Sequence, residues 1–475
     1  MMTALAILVA LLAVCAAGWL IYKKAHAAAS LFVVGFALLV ISWLMGMDGN
    51  RTVDLGDSAT GHGFYDQLLV MESLFKSRLS GIGLSIMVLF GFVAYMRHIG
   101  ADAKTVVLLS RPLSRFKGSY WLVFAGFLLG NVLSLVIPSA AALSLLLIAT
   151  LLPALVAAGL TPLTVGAIVV TSSTIVPSPL EAGLIQGAEL TGMAISDYVG
   201  QVALATVPTI LIMAVTHMLW QRWCDRRDES RGAVGVADGE HLNASTAAMH
   251  DAIERAAKLP NFYAILPLLP LLVIATTATL RRLEVIDFES GIMPATIVSL
   301  MVTLLIEIIR RRSFQETVDS VKQFFVGLGE GVAGVVSLLI SAAILVEGIT
   351  QLGIISMITQ GAKDSHGAAL LVVLLFVIAT GLIATLTGSG TAPYFAFSEM
   401  VPALAAESSI LPVRMLTSIW GTSNLARQLS PVCAAVLIVA GAIKVNPMQL
   451  VKRTSVPMLV GIVCNVLFAF LFIHA

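Results

Sequence analysis

Apolar residues run along this chain in long blocks, near 3–21, 28–47, 80–96, 119–158, 162–195, 198–220, 262–280, 290–309, 328–350, 368–406, 411–443 and 455–473. Roughly 20 apolar residues in helical form cross a bilayer, because a helix satisfies its backbone donors and acceptors within its own segment. The pattern predicts an all-α polytopic membrane protein. Composition agrees: of 475 residues, 58% are hydrophobic and 12% charged, and mean hydropathy is +0.96, whereas a soluble chain carries roughly 25% charged residues. One long polar segment, 221–260, parts the chain into units 1–220 and 261–475. It reads as a cytoplasmic linker, partly helical around "AMHDAIERAAK".

Charge assigns sides. Lys23 and Lys24, "RHIGADAKTVVLLSRPLSRFK" (97–117), "QRWCDRRDESR" (221–231), "RRR" (310–312) and "VKR" (451–453) read as cytoplasmic, while the acidic 48–79 connection reads as outside. These assignments agree only when both termini face outward. The first apolar run lacks a basic region before it, so it reads as a retained helix and not a signal peptide. A net charge of +1 gives no basic field for nucleic acid. The four cysteines, Cys15, Cys224, Cys433 and Cys464, are scattered without a metal-ligand or disulfide pattern and read as small apolar fillers.

The two units share landmarks. "LLPAL" (151–155) corresponds to "MVPAL" (400–404), and hydroxyl clusters "TSST" (171–174) and "TSN" (422–424) precede Ser178-Pro179 and Ser430-Pro431. Polar breaks, "PSA" (138–140) and "TGSGTAP" (387–393), lie upstream of each proline. With the charge-assigned sides, the units form two inverted-topology repeats, each with about five spanning helices plus one interrupted element, an arrangement common in secondary transporters. The stretches at about 119–158 and 368–406 read either as re-entrant hairpins or as pairs of full spans. Irregular backbone at membrane depth is tolerated only against protein or a watery cavity, which favours hairpins.

Two segments, about 162–195 and 411–443, read as broken helices, because Pro177, Pro179 and Pro431 remove backbone donors and clash with the preceding turn. A broken helix exposes amides that attract anions and carbonyls that attract cations. Two breaks and two hairpin tips brought together would form one polar site near the midplane. An arginine at that depth costs about 2.5–3.5 kcal/mol even on a lenient insertion scale, so Arg427 demands compensation. An anionic ligand supplies it, held bidentately; the alternatives are a fixed pairing with Glu181 or Glu399, or snorkelling. The candidate substrate-binding residues are Ser139, Ser172, Ser173 and Ser178 in the first unit, and Gly388, Ser389, Gly390, Thr391, Ser423, Asn424, Arg427 and Ser430 in the second. Glu181 is a candidate proton carrier or cation ligand, or else a hydrogen-bonded core glutamate. His217 precedes "WQRW" and reads as an interfacial anchor, Arg414 as a snorkelling residue, and Glu307 and Glu347 as span-end carboxylates. No Walker loop, HExxH or nucleophile elbow occurs, so the expected activity is gradient-driven transport without an organic cofactor or metal centre, and not catalysis.

At "TGSGTAPYFAFSEMVPALA" (387–405), "GTSNLARQLSPVCAAVLIVAG" (421–441) and "VKRTSVPMLVGIV" (451–463), and also at "AYMRHIGA" (94–101) and "FYAILPLLPLL" (262–272), the sequence resembles the anaerobic C4-dicarboxylate carrier family of C type, within the ion transporter superfamily. The resemblance implies a bacterial inner-membrane carrier for succinate, fumarate and malate, a homodimer with paired hairpins and an elevator-like transport domain, in which tip Ser, Asn and Thr hold the carboxylates. Thr391 stands where the family pattern has Asn, and Glu181 where it has Asp. The first tip, "PSAAALS", is poor in side chains for sodium, although backbone carbonyls can bind it, so the coupling ion is left open between Na+ and H+. The competing expectations are a carrier for another organic anion or an amino acid, and an anion channel. Moving a dianion inward against about 100 mV costs roughly 4.6 kcal/mol, so exchange or efflux is expected ahead of concentrative uptake.

Overall fold

The structure, a computed structural model, describes residues 2–23, 25–110, 120–230, 251, 253–353, 368–408 and 410–474. All regular secondary structure among them is helical. Nine helices among the described residues are long and apolar enough to cross a membrane. Along Ile195–Ser230, for example, Leu204, Val207, Leu211, Val215 and Leu219 are all exposed at helical spacing, a stripe suited to lipid.

The two units share a succession of elements, apart from helix Ala101–Ser110 of the first, which has no counterpart among the described residues of the second. Each contains a long helix with a π-helical turn, at Leu79–Gly83 within Gly63–Ile99 and at Val332–Val336 within Phe314–Gln351. Each continues with a helix–turn–helix: Trp121–Ser134 with Ala140–Ala157, and Ala368–Thr387 with Thr391–Ser398 and Val401–Ser408. A helix in two pieces follows, then a long closing helix, Ile195–Ser230 or Pro447–Phe472. The 14 residues of Trp121–Ser134 reach only about 21 Å, short of the roughly 30 Å hydrocarbon core.

The long helices form a frame across the two units. Leu84–Ile99 packs on Lys322–Gly331, where a Cβ on Gly327 would fall 2.6 Å from the Phe90 carbonyl, so the absence of a side chain there sets the helix separation. Ala27–Leu44 packs on Ser337–Gln351. At that crossing the buried Glu347 carboxylate accepts from the backbone and hydroxyl of Thr52 and from Gln351 Nε2.

Two sequence boundaries move. Residues 221–230 continue the helix Ile195–Ser230 and do not open the linker. Trp220 stacks on Trp223, and buried Asp225 pairs with Arg453 at 2.7 Å while accepting from Thr161, Thr164 and Tyr120, so a polar face is held by tertiary partners. Most of the rest of the predicted linker, 231–250 and 252, lies outside the described residues. The 48–79 connection is likewise helical from Gly63, because "GFYDQLLVMESLFKSR" buries Val70 and Leu74 beside Gln67. Glu307, as expected near a span end, sits with Arg310, Arg311 and Tyr263, and Arg414 bonds the Ile473 carbonyl over the Phe470 ring.

Candidate functional site

The first break is made by local chemistry. Helix Pro162–Val170 starts with the Thr161 hydroxyl accepting from Thr164 N and a proline in its first turn, and ends at Thr171. Residues preceding Pro177 and Pro179 are pushed out of the helical region, and helix resumes only at Ala182–Thr191. There Glu181 is the N-cap: its Oε2 accepts from Leu184 N at 2.9 Å. In the second unit, Pro412–Ala426 passes through a single tight turn, Arg427–Leu429, to extended Ser430 before Pro431, and helix resumes at Ala434–Ala442.

The two breaks touch. Arg427 Nη2 donates to the Ser173 carbonyl at 2.8 Å, and Gln428 Nε2 donates to the same oxygen at 3.3 Å. Trp420 Nε1 donates to Glu181 Oε2 at 3.0 Å. The second tip closes on this junction. Gly388 has φ +72°, and a Cβ there would lie 2.8 Å from Cys433 N; a Cβ on Gly390 would lie 2.9 Å from the Ser423 carbonyl and 3.1 Å from Arg427 Cδ. Both positions require glycine for backbone-level contact. The first tip borders a small open cleft lined by Ser134, Pro138, Ser173, Thr174, Ser178 and Glu181. A neighbouring cleft shares Leu135, Pro138 and Leu180 with it and reaches Arg97 and Asp102. Burial pushes the Asp102 carboxyl up from its ordinary value.

Arg427 is half-buried and lies in no ion pair among the described residues. Its Nε is buried without a hydrogen-bond partner among the described residues. The alternative partners are engaged elsewhere. Glu399 pairs with Arg78 at 2.6 Å and accepts from Gln186, and Glu181 is held by Leu184 N and Trp420.

The other candidates divide. Ser173 offers its carbonyl, and Ser178 lines the cleft while its hydroxyl accepts from Leu180 N. Ser139 is exposed at the first tip and caps Ala142 N; Ser389 caps Ala392 N at the second, next to Thr391, the first residue of its helix. Asn424 Nδ2 donates to the Trp420 carbonyl, and the Ser430 hydroxyl accepts from Val432 N. Ser172 and Ser423 are turned away from the junction. Each donates to a carbonyl of its own helix, Ile168 at 2.8 Å and Trp420 at 2.9 Å, and Ser172 lies against Gly130. His217 is fully buried, not an interfacial anchor: it bonds Thr171 Oγ1 at 3.1 Å, lies 3.4 Å from Gln221 Nε2, and faces Phe127. Its place behind the break satisfies both ring nitrogens, which an aqueous interface would not require.

Sequence reasoning passed over Asn131 and noted Thr174 only within the hydroxyl cluster "TSST". Thr174 Oγ1 donates to Asn131 Oδ1 at 3.0 Å, joining the first helix–turn–helix to the break. A single asparagine inside "FLLGNVLS" was the available signal.

The sequence profile of the C4-dicarboxylate anaerobic carrier family matches residues 2–474. The anaerobic C4-dicarboxylate transporter DcuC of Escherichia coli is 32% identical over 468 residues, covering 98% of this chain and 96% of that protein. A probable anaerobic C4-dicarboxylate transporter DcuC of Vibrio cholerae is 29% identical over 463 residues, covering 97% and 96%. Among solved structures, Neisseria gonorrhoeae MtrF, described with a class of antimetabolite efflux pumps, superposes with a TM-score of 0.61 at 12% identity, covering 93% of this chain and 94% of that one. That likeness is one of fold.

Proposed function

This chain belongs to the C4-dicarboxylate anaerobic carrier family, and from that premise we propose that Arg427 clamps one carboxylate of a C4-dicarboxylate such as succinate, fumarate or malate at the junction of two broken helices. The protein is a multi-pass membrane carrier and not an enzyme. The observation that carries the clamp is a half-buried guanidinium at the meeting point of both breaks and the second tip, with no carboxylate partner among the described residues and one buried N–H unpaired. Guanidinium holds carboxylate through parallel hydrogen bonds. Ser173, Ser178, Ser389, Thr391, Asn424 and Ser430 stand on the segments around it and supply further bonds as the site closes.

The finer architecture follows the same reading. The repeated succession of elements supports two inverted repeats with re-entrant hairpins, in which the hairpins and broken helices move against the long-helix frame as an elevator within a homodimer. Both termini then face the periplasm of a bacterial inner membrane. Exchange of one dianion for another moves no net charge and outward movement is favoured by the potential, so exchange or efflux is the working mode.

The test is counterflow in proteoliposomes with succinate, fumarate, malate, aspartate, citrate and lysine. Saturable exchange among the three C4-dicarboxylates is expected. Exchange confined to another solute, or voltage-scaled current far above carrier rates, removes the proposal.

A further inference from the structure

Unwinding a helix inside a membrane leaves a partial negative charge at the carbonyl end of one piece and a partial positive charge at the amide end of the other. In the first break both ends are closed by the chain itself. On the carbonyl side, Ser173 O lies in the unwound segment three residues past the last helical residue, Val170, and accepts from Arg427 Nη2 at 2.8 Å and Gln428 Nε2 at 3.3 Å. At the amide end, the Glu181 carboxylate accepts from Leu184 N at 2.9 Å and is fixed by Trp420 Nε1 at 3.0 Å. Arg427, Gln428 and Trp420 all belong to one segment of the second broken helix and its turn.

Resting on the dicarboxylate reading, we propose that Arg427 is a built-in cation at the carbonyl end of the first break, filling the place that a coupling metal ion such as sodium would need, so that the dianion binds and exchanges without a metal cation. A single N–H of Nη2 holds the carbonyl, while Nε, without a hydrogen-bond partner among the described residues, and the remaining guanidinium N–H groups are left for the substrate. A metal ion at the Ser173 oxygen would sit within contact of a fixed positive charge, and like charges at that separation exclude one another. The same contact ties the two broken helices, so one side chain faces both a substrate carboxylate and the carbonyl side of the break.

The experiment is thermal unfolding of the purified full-length carrier in NaCl, KCl and choline chloride at equal ionic strength, for the wild type, Arg427→Lys and Arg427→Gln. The wild-type Tm is expected to be the same in all three salts. Arg427→Gln, which removes the charge, is expected to lose more stability than Arg427→Lys, which keeps it. A sodium-specific rise in the wild-type Tm, or a Gln variant as stable as the wild type, overturns the proposal. Unfolding reads no substrate, so this result is independent of which solute is carried. Succinate counterflow in the same salts is the second arm: equal rates support the built-in cation, and a severalfold loss when sodium is replaced sinks it while leaving dicarboxylate carriage standing.

Discussion

The guanidinium of Arg78 lies 2.6 Å from the carboxylate of Glu399, whose side chain is 5% exposed. Arg78 ends Gly63–Arg78 just before the π-helical turn, and Glu399 sits at the kink between Thr391–Ser398 and Val401–Ser408. Gln186 of the half-helix Ala182–Thr191 donates to the same carboxylate and accepts from Ser398. One ion pair therefore joins the frame to the second helix–turn–helix and the first broken helix.

Removing one partner of that pair strands a buried charge. Arg78→Ala is expected to destabilise by up to about 3 kcal/mol, below the limit for a fully buried pair because Arg78 keeps some solvent contact. Adding Glu399→Gln should restore a large part of the loss. Unfolding of the two single variants and the double variant in detergent reads this coupling; additive losses would show that the pair is energetically idle.

Arg427→Ala and Arg427→Lys should abolish dicarboxylate exchange while the protein still elutes as a folded species. Each charge-assisted hydrogen bond lost, at about 1.5–3 kcal/mol, corresponds to roughly 10- to 150-fold in affinity, and losing both bonds of the clamp multiplies the two factors. Counterflow with size-exclusion chromatography separates binding from folding, and wild-type exchange in either variant would remove Arg427 from the site.

Glu181 has a capping duty and a candidate proton duty, and two substitutions separate them. Glu181→Gln keeps an oxygen for Leu184 N, so it should fold normally yet change the pH dependence of exchange. Glu181→Ala loses the cap as well, at a cost of about 1 kcal/mol. An unchanged pH profile in the Gln variant would reduce Glu181 to helix capping.

Gly388→Ala should damage both stability and transport. The residue is in the left-handed region, which costs a non-glycine residue about 1–2 kcal/mol, and the new Cβ would press on Cys433 N at 2.8 Å. Counterflow and Tm measured on the same preparation check both effects; a neutral outcome would mean that the tip does not close on the second break in the working carrier.

The sequence by itself determined the membrane class, most of the apolar helical segments and the two interruptions near Pro177, Pro179 and Pro431. Those features follow from local rules: apolar length, the missing N–H of proline, and its clash with the preceding turn. It also marked Arg427 as a charge needing a partner. Only the tertiary structure decided what that partner is, because the Ser173 carbonyl lies 254 residues away. It decided, too, that residues 221–230 stay helical beside Arg453, that His217 is buried behind the first break, and that the Ser172 and Ser423 hydroxyls turn back onto their own helices. Each of those outcomes depends on which neighbour can satisfy a polar group in a medium without water, and that neighbour is chosen by packing between distant segments.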